Sequence, residues 1–450
     1  MNQDFRSFLK LVEETVPTEF KRISQEVSPA YEVTALVMEY EKIGQHPLLV
    51  FENVKGYEIP VATNVVSTRR RYAMAMGVQE RQLAQVACRR SKTRLAPKLL
   101  PEAPFQENVY LGDQVDLNRF PILTHFPIDG GPYITAGLVV AKDPYSGAST
   151  LGYHRMQLKG KDRLGISLHS RKRMWEYQGR AEAMGKNLEA AVIIGNHPVL
   201  SLGSMALLPY HESKFELLGG LFGEPLEVVQ ARTIDLAVPA GSEIVIEGEI
   251  LSGVREPEGP FGEFTGYACF RSTEHVFHVK AILHRDRPIF QSICAGLCGD
   301  HTTAPAVQRE ADLLEAVQRT VPNVRDVHVP KSGCGIFHAY ISIRKTAEGQ
   351  PLQAIFAALG IDMGVKLVVV VDDDIDVCNE SEVLWAISTR LQASRGVHIT
   401  PGAMGVILDP SSTEDGRSDK MGIDATKPLA KFATNLTLPD EVTQNARKLM

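Results

Sequence analysis

The sequence of 450 residues has little of several features that would assign it to a specialised class of protein. Its six cysteines are scattered and only Cys294 and Cys298 lie close, so we expect free buried thiols and no disulfide framework. The longest aliphatic runs, such as LVVVV at 367–371, are too short to span a membrane, and the start MNQDFRSFLKLVEE lacks a signal-peptide core. A formal net charge of -6 gives no electrostatic case for nucleic-acid binding. We therefore expect a cytoplasmic protein that binds neither nucleic acid nor membrane.

The composition is that of a large globular protein. Hydrophobic residues make up 44% of the chain and charged residues 23%, which excludes a disordered protein and provides material for a deep site. The length corresponds to about three domains, or to one large domain with appendages.

The pattern along the chain divides it into four parts. Residues 1–95 alternate helical and strand patterns and are predicted to form an N-terminal α/β module. Residues 96–132 contain six prolines and little periodicity, which is typical of an extended, wrapping linker. Residues 133–305 consist of short apolar runs separated by turns, as in a β-barrel or β-sandwich, with helical insertions. Residues 306–450 are predicted to be a C-terminal α/β domain that ends in a short helix.

The stretch PEGPFGEF at 257–264 places Glu258 and Glu263 five residues apart. Five residues is wrong for one helix face and for one strand face, so a bent loop must aim the two carboxylates. Pro257 and Pro260 restrict the backbone, and such a loop could hold both acids rigidly enough for acid/base chemistry. A surface turn with two solvated acids explains the same prolines and glycines, and it stays open at this point.

Residues 149–168, STLGYHRMQLKGKDRLGISL, are predicted to form a β-hairpin that turns at residues 159–162. Alternation along its first strand would place His154 and Arg155 on opposite faces. An arginine in mid-strand is a partner that two rigid acids require, because a guanidinium orients a carboxylate and tunes its pKa. The alternatives are a solvent-facing Arg155 and a structural His154.

Two further segments contain polar residues of interest. Asp372, Asp373 and Asp374 follow a buried strand, where Mg²⁺ sites form, but a hydrophilic turn closing that strand explains them as well. Lys420 is expected in a glycine-containing turn of RSDKMGIDAT.

Four segments are informative when taken together, because of their order and spacing: GYHRMQLKGKDRLGI, EVVQARTIDLAVPAGSEIVIEGEI, EPEGPFGEFTGY and DKMGIDAT. The chain resembles the UbiD family of decarboxylases in these segments, and the resemblance extends from DFRSFLKLVEE through VDLNRFPILTHFP to the C-terminal KMGIDAT. It implies an α+β fold in which a central flavin-binding split β-barrel is flanked by N-terminal and C-terminal α/β parts. A homodimer or larger homo-oligomer is expected.

The resemblance also implies a reaction and its cofactor. The cofactor would be prenylated flavin mononucleotide (FMN), supplied by a separate flavin prenyltransferase. The reaction would be reversible, non-oxidative decarboxylation of an aromatic, heteroaromatic or α,β-unsaturated carboxylic acid, with CO₂ as the other product. Direct loss of CO₂ from an sp² carbon would leave an unstabilised carbanion, so an electrophilic cofactor must take up the electrons.

Site residues follow from the same resemblance. Arg155, Glu258 and Glu263 match the family's Glu-Arg-Glu constellation, in which Glu263 would supply the proton, Arg155 would orient it and Glu258 would complete the network. Positions at or near the cofactor in the family fall on Thr150, Tyr153, His154, Arg155, Ile166, Ser167, Leu168, Arg171, Lys172, Lys214 and Lys420. Phe264, His301 and Thr302 are expected to border a substrate pocket suited to a planar ring with a polar substituent.

The sequence departs from the family at its metal site. Family members usually hold a divalent metal, Mn²⁺, beside the flavin phosphate and K⁺ nearby, with Asn, His and Glu as protein ligands of the divalent ion. Those places fall here on Thr150, on Arg171 or Lys172, and on Lys214, none of which is an ordinary metal ligand. We therefore expect fixed cations to hold the phosphate without a metal. In a shifted register, three other residues would rebuild a metal site: His169, Glu212 and Glu216.

Two other functions remain open. A reductase with unmodified FMN could use the same barrel, because fold does not fix chemistry. A non-catalytic relative that only binds or scaffolds is suggested by the altered metal positions. Arg155, Glu258 and Glu263 are all present and favour the decarboxylase.

Overall fold

The computed structural model describes residues 2–168, 173–270 and 272–449. The first 111 residues of the chain carry the following elements: α1 (Phe5–Thr15), β1 (Phe20–Ile23), α2 (Glu32–Lys42), β2 (Leu48–Phe51), β3 (Val61–Thr63), α3 (Arg69–Met76), α4 (Leu83–Arg90), β4 (Lys98–Leu99) and β5 (Asn108–Leu111). The helix α1 buries Phe5, Phe8, Leu9 and Val12, which recur at helical spacing, and the side chain of Asp4 accepts the N–H of Ser7 at its start.

The middle of the chain is mainly β. Its elements are β6 (Tyr133–Ile134), β7 (Leu138–Lys142), β8 (Ser149–Tyr153), β9 (Met156–Leu158), β10 (Arg163–Ile166), α5 (Arg173–Ala183), β11 (Leu188–Ile194), α6 (Pro198–Ser204), α7 (Lys214–Phe222), β12 (Glu227–Gln230), β13 (Ala237–Pro239), β14 (Ile244–Glu258), β15 (Phe261–Gly262), β16 (Ala268–Cys269), β17 (Ser272–His284) and β18 (Phe290–Gln291).

A nine-stranded sheet dominates this part, in the order β6-β9-β10-β17-β14-β11-β7-β8, with β5 added beside β17. The long strands β14 and β17 pair antiparallel from Ile244↔His284 to Glu258↔Ser272, with register shifts after Glu247 and after Ile250. Such shifts bend a sheet, and the result is a curled half-barrel. The fold is therefore the expected mixture of α and β structure around a curled sheet.

The four parts predicted from the sequence share β-sheets and a hydrophobic core. The extended segment 96–132 supplies β5 to the large sheet, and β18 joins β1, β2 and β3 in a four-stranded sheet with the N-terminal residues. One continuous core includes side chains from α1, the large sheet and the C-terminal helices.

The C-terminal part contains α8 (Gly299–Thr320), β19 (Val324–His328), β20 (His338–Ile343), α9 (Gln350–Ile361), β21 (Leu367–Asp372), α10 (Glu380–Arg390), α11 (Ala393–Gly396), β22 (Val397–Met404), β23 (Arg417–Asp424) and α12 (Asp440–Arg447). Five strands form one sheet in the order β19-β20-β21-β23-β22. The predicted boundary between the β domain and the C-terminal domain, at 305/306, falls inside α8. This helix contains Pro305 near its start.

The structure resolves two expectations, the turn at Lys420 and the role of the acidic run at 372–374. Lys420 does not lie in a turn: it is buried on β23, which pairs with both β21 and β22. Asp372 and Asp374 both form ion pairs with Arg390 of α10, at 2.7 and 2.9 Å. The acidic run therefore closes the buried strand β21 as a polar turn.

Among the described residues, no helix combines the length and the apolar character needed to cross a membrane.

Candidate active site

Arg155 and Glu258 form a buried bidentate ion pair. Arg155 Nε donates to Glu258 Oε1 at 3.0 Å and Arg155 Nη2 donates to Glu258 Oε2 at 2.8 Å. The side chain of Glu258 is fully buried and that of Arg155 is 8% exposed. Burial opposes the charge on Arg155, but its hydrogen bonds to Glu258 and the charges of Glu263 and Glu258 raise its pKa. The pair is a fixed, charged unit within the barrel.

Glu263 is the second carboxylate on the same guanidinium. Arg155 Nη1 donates to Glu263 Oε1, so one arginine binds both acids. Glu258 ends β14, whereas Glu263 follows β15 in a short hairpin with β16, after a bend at residues 259 and 260. The bent segment predicted from the five-residue spacing is thus present, and it brings both acids to Arg155. The solvated surface turn is excluded.

Asp129 fixes the position of this bent segment, and sequence reasoning missed it. One carboxylate oxygen of Asp129 accepts the N–H of Gly262 at 2.9 Å, and the other accepts those of His125 and Phe126 at 3.1 and 2.8 Å. Next to it, a Cβ at Gly130 would lie 2.5 Å from the carbonyl oxygen of Gly259, so a side chain cannot be accommodated. The sequence signal was the DGG at 129–131, which resembles an ordinary turn.

The predicted hairpin is interrupted at the two residues of greatest interest. The first arm is split into two strands, β8 and β9, and His154 and Arg155 lie in the gap between these strands. The strand β8 pairs with β7, whereas β9 pairs with β6 and β10. Strand alternation does not hold across this break, and both side chains line one cavity. Placing them on opposite faces was therefore wrong. His154 Nδ1 lies 2.9 Å from the carbonyl oxygen of Ser167, and burial lowers the pKa of His154 to about 4.

Two cavities adjoin at Tyr153, His154 and Met205. The smaller one, about 220 Å³, is lined by Arg155, Ser167, Glu263, Phe264 and His301 among others. The larger one, about 530 Å³, extends past Thr150 and Lys214. Glu263 contributes to the wall of the smaller cavity, whereas Glu258 lies behind Arg155. Only one of the two acids is therefore placed to exchange a proton with a bound molecule.

Cationic side chains line the larger cavity. Lys214, the first residue of α7, donates its ammonium to the backbone carbonyls of Leu151, at 3.2 Å, and Ser204. Arg173 was not predicted; its guanidinium donates to the carbonyls of Leu208 and Glu212, at 2.8 and 2.6 Å. Cations held by carbonyl groups beside a cavity suit an anionic ligand group.

The remaining predictions at this end have different outcomes. Arg171, Lys172 and His169 lie outside the described residues. Glu212, offered for a shifted metal register, forms an ion pair with Arg94 at 2.9 Å. Glu216 lies in the first turn of α7 and is absent from the described lining of both cavities.

Four of the residues predicted to contact the cofactor or the substrate do not line either cavity. Ile166 and Leu168 are buried in a hydrophobic core, and Thr302 donates to the carbonyl of Cys298 at 2.9 Å within α8. Lys420 donates to the carbonyls of residues 362, 363 and 365, and burial lowers its pKa.

The start of α8 supplies another part of the wall of the smaller cavity. The rings of Phe264 and His301 meet edge to face, with centroids 6.0 Å apart. Burial lowers the pKa of His301 to about 4, so the imidazole is neutral near pH 7, and its Nδ1 is buried without a described hydrogen-bond partner. Asp300 also lines this wall and was not predicted; burial raises its pKa to about 6, and it accepts the N–H groups of Asn64 and Val66.

Comparison with known proteins identifies the family. The N-terminal, Rift-related and C-terminal domains of 3-octaprenyl-4-hydroxybenzoate carboxy-lyase (UbiD) match residues 17–90, 98–298 and 302–425. Anhydromevalonate phosphate decarboxylase of Methanothermobacter thermautotrophicus is 34% identical over 94% of this chain and 97% of its own length. The chain belongs to the UbiD family. It is accordingly a carboxy-lyase, and the resemblance seen in the sequence is confirmed.

Solved UbiD-class structures share the fold. HmfF from Pelotomaculum thermopropionicum, in complex with FMN, is 39% identical, covers 99% of this chain and 100% of its own, and superposes with a TM-score of 0.93. An evolved dimeric form of HmfF, in complex with prenylated FMN, has a TM-score of 0.89 at 38% identity over 98% of both chains. The 3,4-dihydroxybenzoic acid decarboxylase AroY of Klebsiella pneumoniae has a TM-score of 0.88 at 28% identity over 99% of both chains. UbiD-family enzymes use prenylated FMN.

Proposed function

We propose that this UbiD-family protein catalyses reversible, non-oxidative decarboxylation of an unsaturated carboxylic acid with prenylated FMN, and that Glu263 delivers the proton. The observation that carries the proposal is the position of Glu263: its carboxylate lies on the cavity wall and is held by Arg155. A flavin prenyltransferase would supply the cofactor, and CO₂ would be the second product.

The residues of the larger cavity fit a flavin mononucleotide. Its volume of about 530 Å³, together with the adjoining 220 Å³, lies within the range of roughly 300–1,000 Å³ that holds small-molecule ligands. Met174, Met205 and Leu208 provide apolar walls for a ring system, and Lys214 and Arg173 provide cations for a phosphate. We propose that Lys214 holds the phosphate without a divalent metal. When bound, prenylated FMN supplies the electrophile that takes up the electrons left by CO₂.

The protein's own groups would divide the proton work. Arg155 holds Glu258 by a bidentate contact, and this pair fixes the guanidinium that orients Glu263. Glu263 then protonates the carbon that lost CO₂, and in the carboxylation direction it removes that proton. Phe261 packs its ring 5.2 Å from the guanidinium carbon and shields the unit from water.

The smaller cavity supports the proposed substrate class. Its volume of about 220 Å³ and its ring-lined wall at Phe264 suit a small, flat acid: aromatic, heteroaromatic or α,β-unsaturated. The neutral His301 on the same wall can hydrogen-bond a polar substituent of that acid. The relatives act on different acids, as the names of the anhydromevalonate phosphate and 3,4-dihydroxybenzoic acid decarboxylases state, so this wall is where specificity would differ.

Decarboxylation in D₂O tests the proposal. The protein is co-expressed with a flavin prenyltransferase and offered a panel of unsaturated acids. We expect CO₂ release and one deuterium at the carbon that carried the carboxyl group. A reductase would instead consume a reduced nicotinamide and saturate the double bond without CO₂, and a binding protein would retain the flavin without turnover. Either result would contradict the proposed function.

A further inference from the structure

Tyr133 is a buried tyrosine beside the bend at residues 259 and 260. It is the first residue of β6, its side chain is fully buried, and its backbone N–H donates to the carbonyl of Leu123 at 2.8 Å. The same strand residue pairs with Gln157 of β9, two positions after Arg155. Contacts with two neighbouring segments therefore fix the backbone from which the Tyr133 side chain extends.

The hydroxyl of Tyr133 contacts both the bend and the acid that precedes it. It donates to the carbonyl of Pro260 at 3.3 Å and also hydrogen-bonds the carboxylate of Glu258. Burial, together with the charge of Glu258, raises the pKa of Tyr133, so the hydroxyl keeps its proton. A hydroxyl has one proton to donate, and here two acceptors share it. The hydroxyl thus ties the acid to the bend.

The ring of Tyr133 supports the guanidinium through a second ring. It packs on Phe261 with centroids 4.6 Å apart, and the centroid of Phe261 lies 5.2 Å from the guanidinium carbon of Arg155. The two rings belong to one small buried cluster that also contains Ala295. Aromatic rings give a guanidinium an apolar surface to rest on, so the position of Arg155 depends on both rings.

Other contacts hold the bend itself and the residues after it. The carboxylate of Asp129 accepts a backbone N–H that follows the bend, and the N–H of Gly130 donates to the carbonyl of Pro260 at 2.8 Å. These contacts involve backbone groups and leave the side chain of Glu258 without support. The Tyr133 hydroxyl supplies that support, on the acid whose bidentate contact fixes the guanidinium.

We propose that Tyr133 is a positioning residue for proton delivery. Its hydroxyl holds Glu258 and the bend, and it thereby keeps Glu263 aligned through Arg155. This inference rests on the proposed function, in which Glu263 delivers the proton. Tyr133 is absent from the described lining of both cavities, so it acts on the reaction through these neighbours and does not touch the bound molecules.

Removal of one oxygen atom tests the hydroxyl. Tyr133→Phe keeps the ring on Phe261 but removes the donor. We expect kcat to fall by about tenfold, with KM and flavin content unchanged, because the donor loses its alignment while both cavities keep their walls. Tyr340→Phe is the matched control, since it removes the hydroxyl of another buried tyrosine, which donates to Glu380 at 3.4 Å in the C-terminal part. The control should lower the thermal midpoint to a similar degree and leave kcat normal.

A double variant separates positioning from a general structural effect. Glu263→Gln has no proton donor left to align, so adding Tyr133→Phe to it should change the residual kcat by less than about twofold. An equal loss from Tyr133→Phe in both backgrounds, a kcat no lower than that of Tyr340→Phe, or a defect confined to KM or flavin content would overturn this inference alone. Normal turnover in Glu263→Gln would overturn the proposed proton donor and this inference with it.

Discussion

The two ends of the active-site cavity hold their cations in different ways. At the end proposed for proton transfer, Arg155 is bound by two carboxylates, Glu258 and Glu263. At the other end, Arg173 is held by backbone carbonyls and by the hydroxyl of Tyr177. The first arrangement has anions to compensate the guanidinium. In the second, the neutral dipoles of carbonyl and hydroxyl groups position Arg173. Among the described residues, no acidic side chain is paired with it.

This difference indicates what each end is built to receive. A compensated cation positions a proton donor without attracting further anions, as acid/base catalysis requires. An uncompensated cation beside a cavity favours an anionic group such as a phosphate. A substitution at one end of the cavity should therefore leave the function of the other end unaffected.

Glu263→Gln should have the largest effect on turnover. The amide keeps the shape of the side chain but supplies no proton, and general acid/base groups contribute about 10²–10⁴-fold. We expect a loss of that size in kcat, with flavin content unchanged by absorbance, because the phosphate end is intact. Glu256→Gln, which alters the acid paired with Arg163 on the outside of the barrel, is the control and should keep normal turnover. Near-normal kcat in Glu263→Gln would remove this residue from the mechanism.

Arg155→Ala should reduce turnover to a similar degree and should also destabilise the protein. It leaves Glu258 fully buried without its partner, a change that costs about 3–5 kcal/mol. The loss should not add to that of Glu263→Gln in the double variant, since the groups act as one unit. Steady-state kinetics of the two single variants and the double variant, with thermal melting of each, measure both effects. Multiplicative losses in kcat would show that the residues act independently.

Lys214→Glu should affect the opposite end, and by less. Replacing a cation by an anion beside the proposed phosphate site should weaken flavin retention by about tenfold or more, while Arg155 and Glu263 keep their geometry. Added Mn²⁺ should partly restore retention in this variant. Chelation of the unaltered protein should leave flavin and activity in place. Stoichiometric manganese in active protein, with activity lost on chelation and restored by the metal, would instead show an ordinary metal site.

Asp129→Ala should give the smallest of these effects. Asp129 touches none of the reacting groups directly, but it holds the N–H of Gly262, next to Glu263. Its loss should loosen the proton donor and lower kcat by about tenfold, with little change in KM or in flavin retention. Asp129→Asn keeps an acceptor oxygen for Gly262 and should recover most of the activity. Equal defects in both variants would indicate a general structural role.

Much of the site could be predicted from local sequence. The spacing of Glu258 and Glu263 excludes one helix face and one strand face, so a bend between them followed from backbone geometry alone. The alternating helical and strand patterns of residues 1–95 were informative in the same way, since α1, β2 and β3 all form there. These features depend on neighbours within a few residues, and such information is contained in a short stretch of chain.

The tertiary structure decided which groups meet and in which direction they point. Arg155 contacts Glu258 across 103 positions and Glu263 across 108, and only the curled sheet brings them together. The break between β8 and β9 turns His154 and Arg155 toward one cavity, against the alternation of a continuous strand. Lys420 was expected in a turn, but it is buried on β23 between two neighbouring strands. Periodicity and turn chemistry indicate the secondary structure that a segment favours locally. Strand pairing and burial depend instead on surfaces supplied by distant parts of the chain.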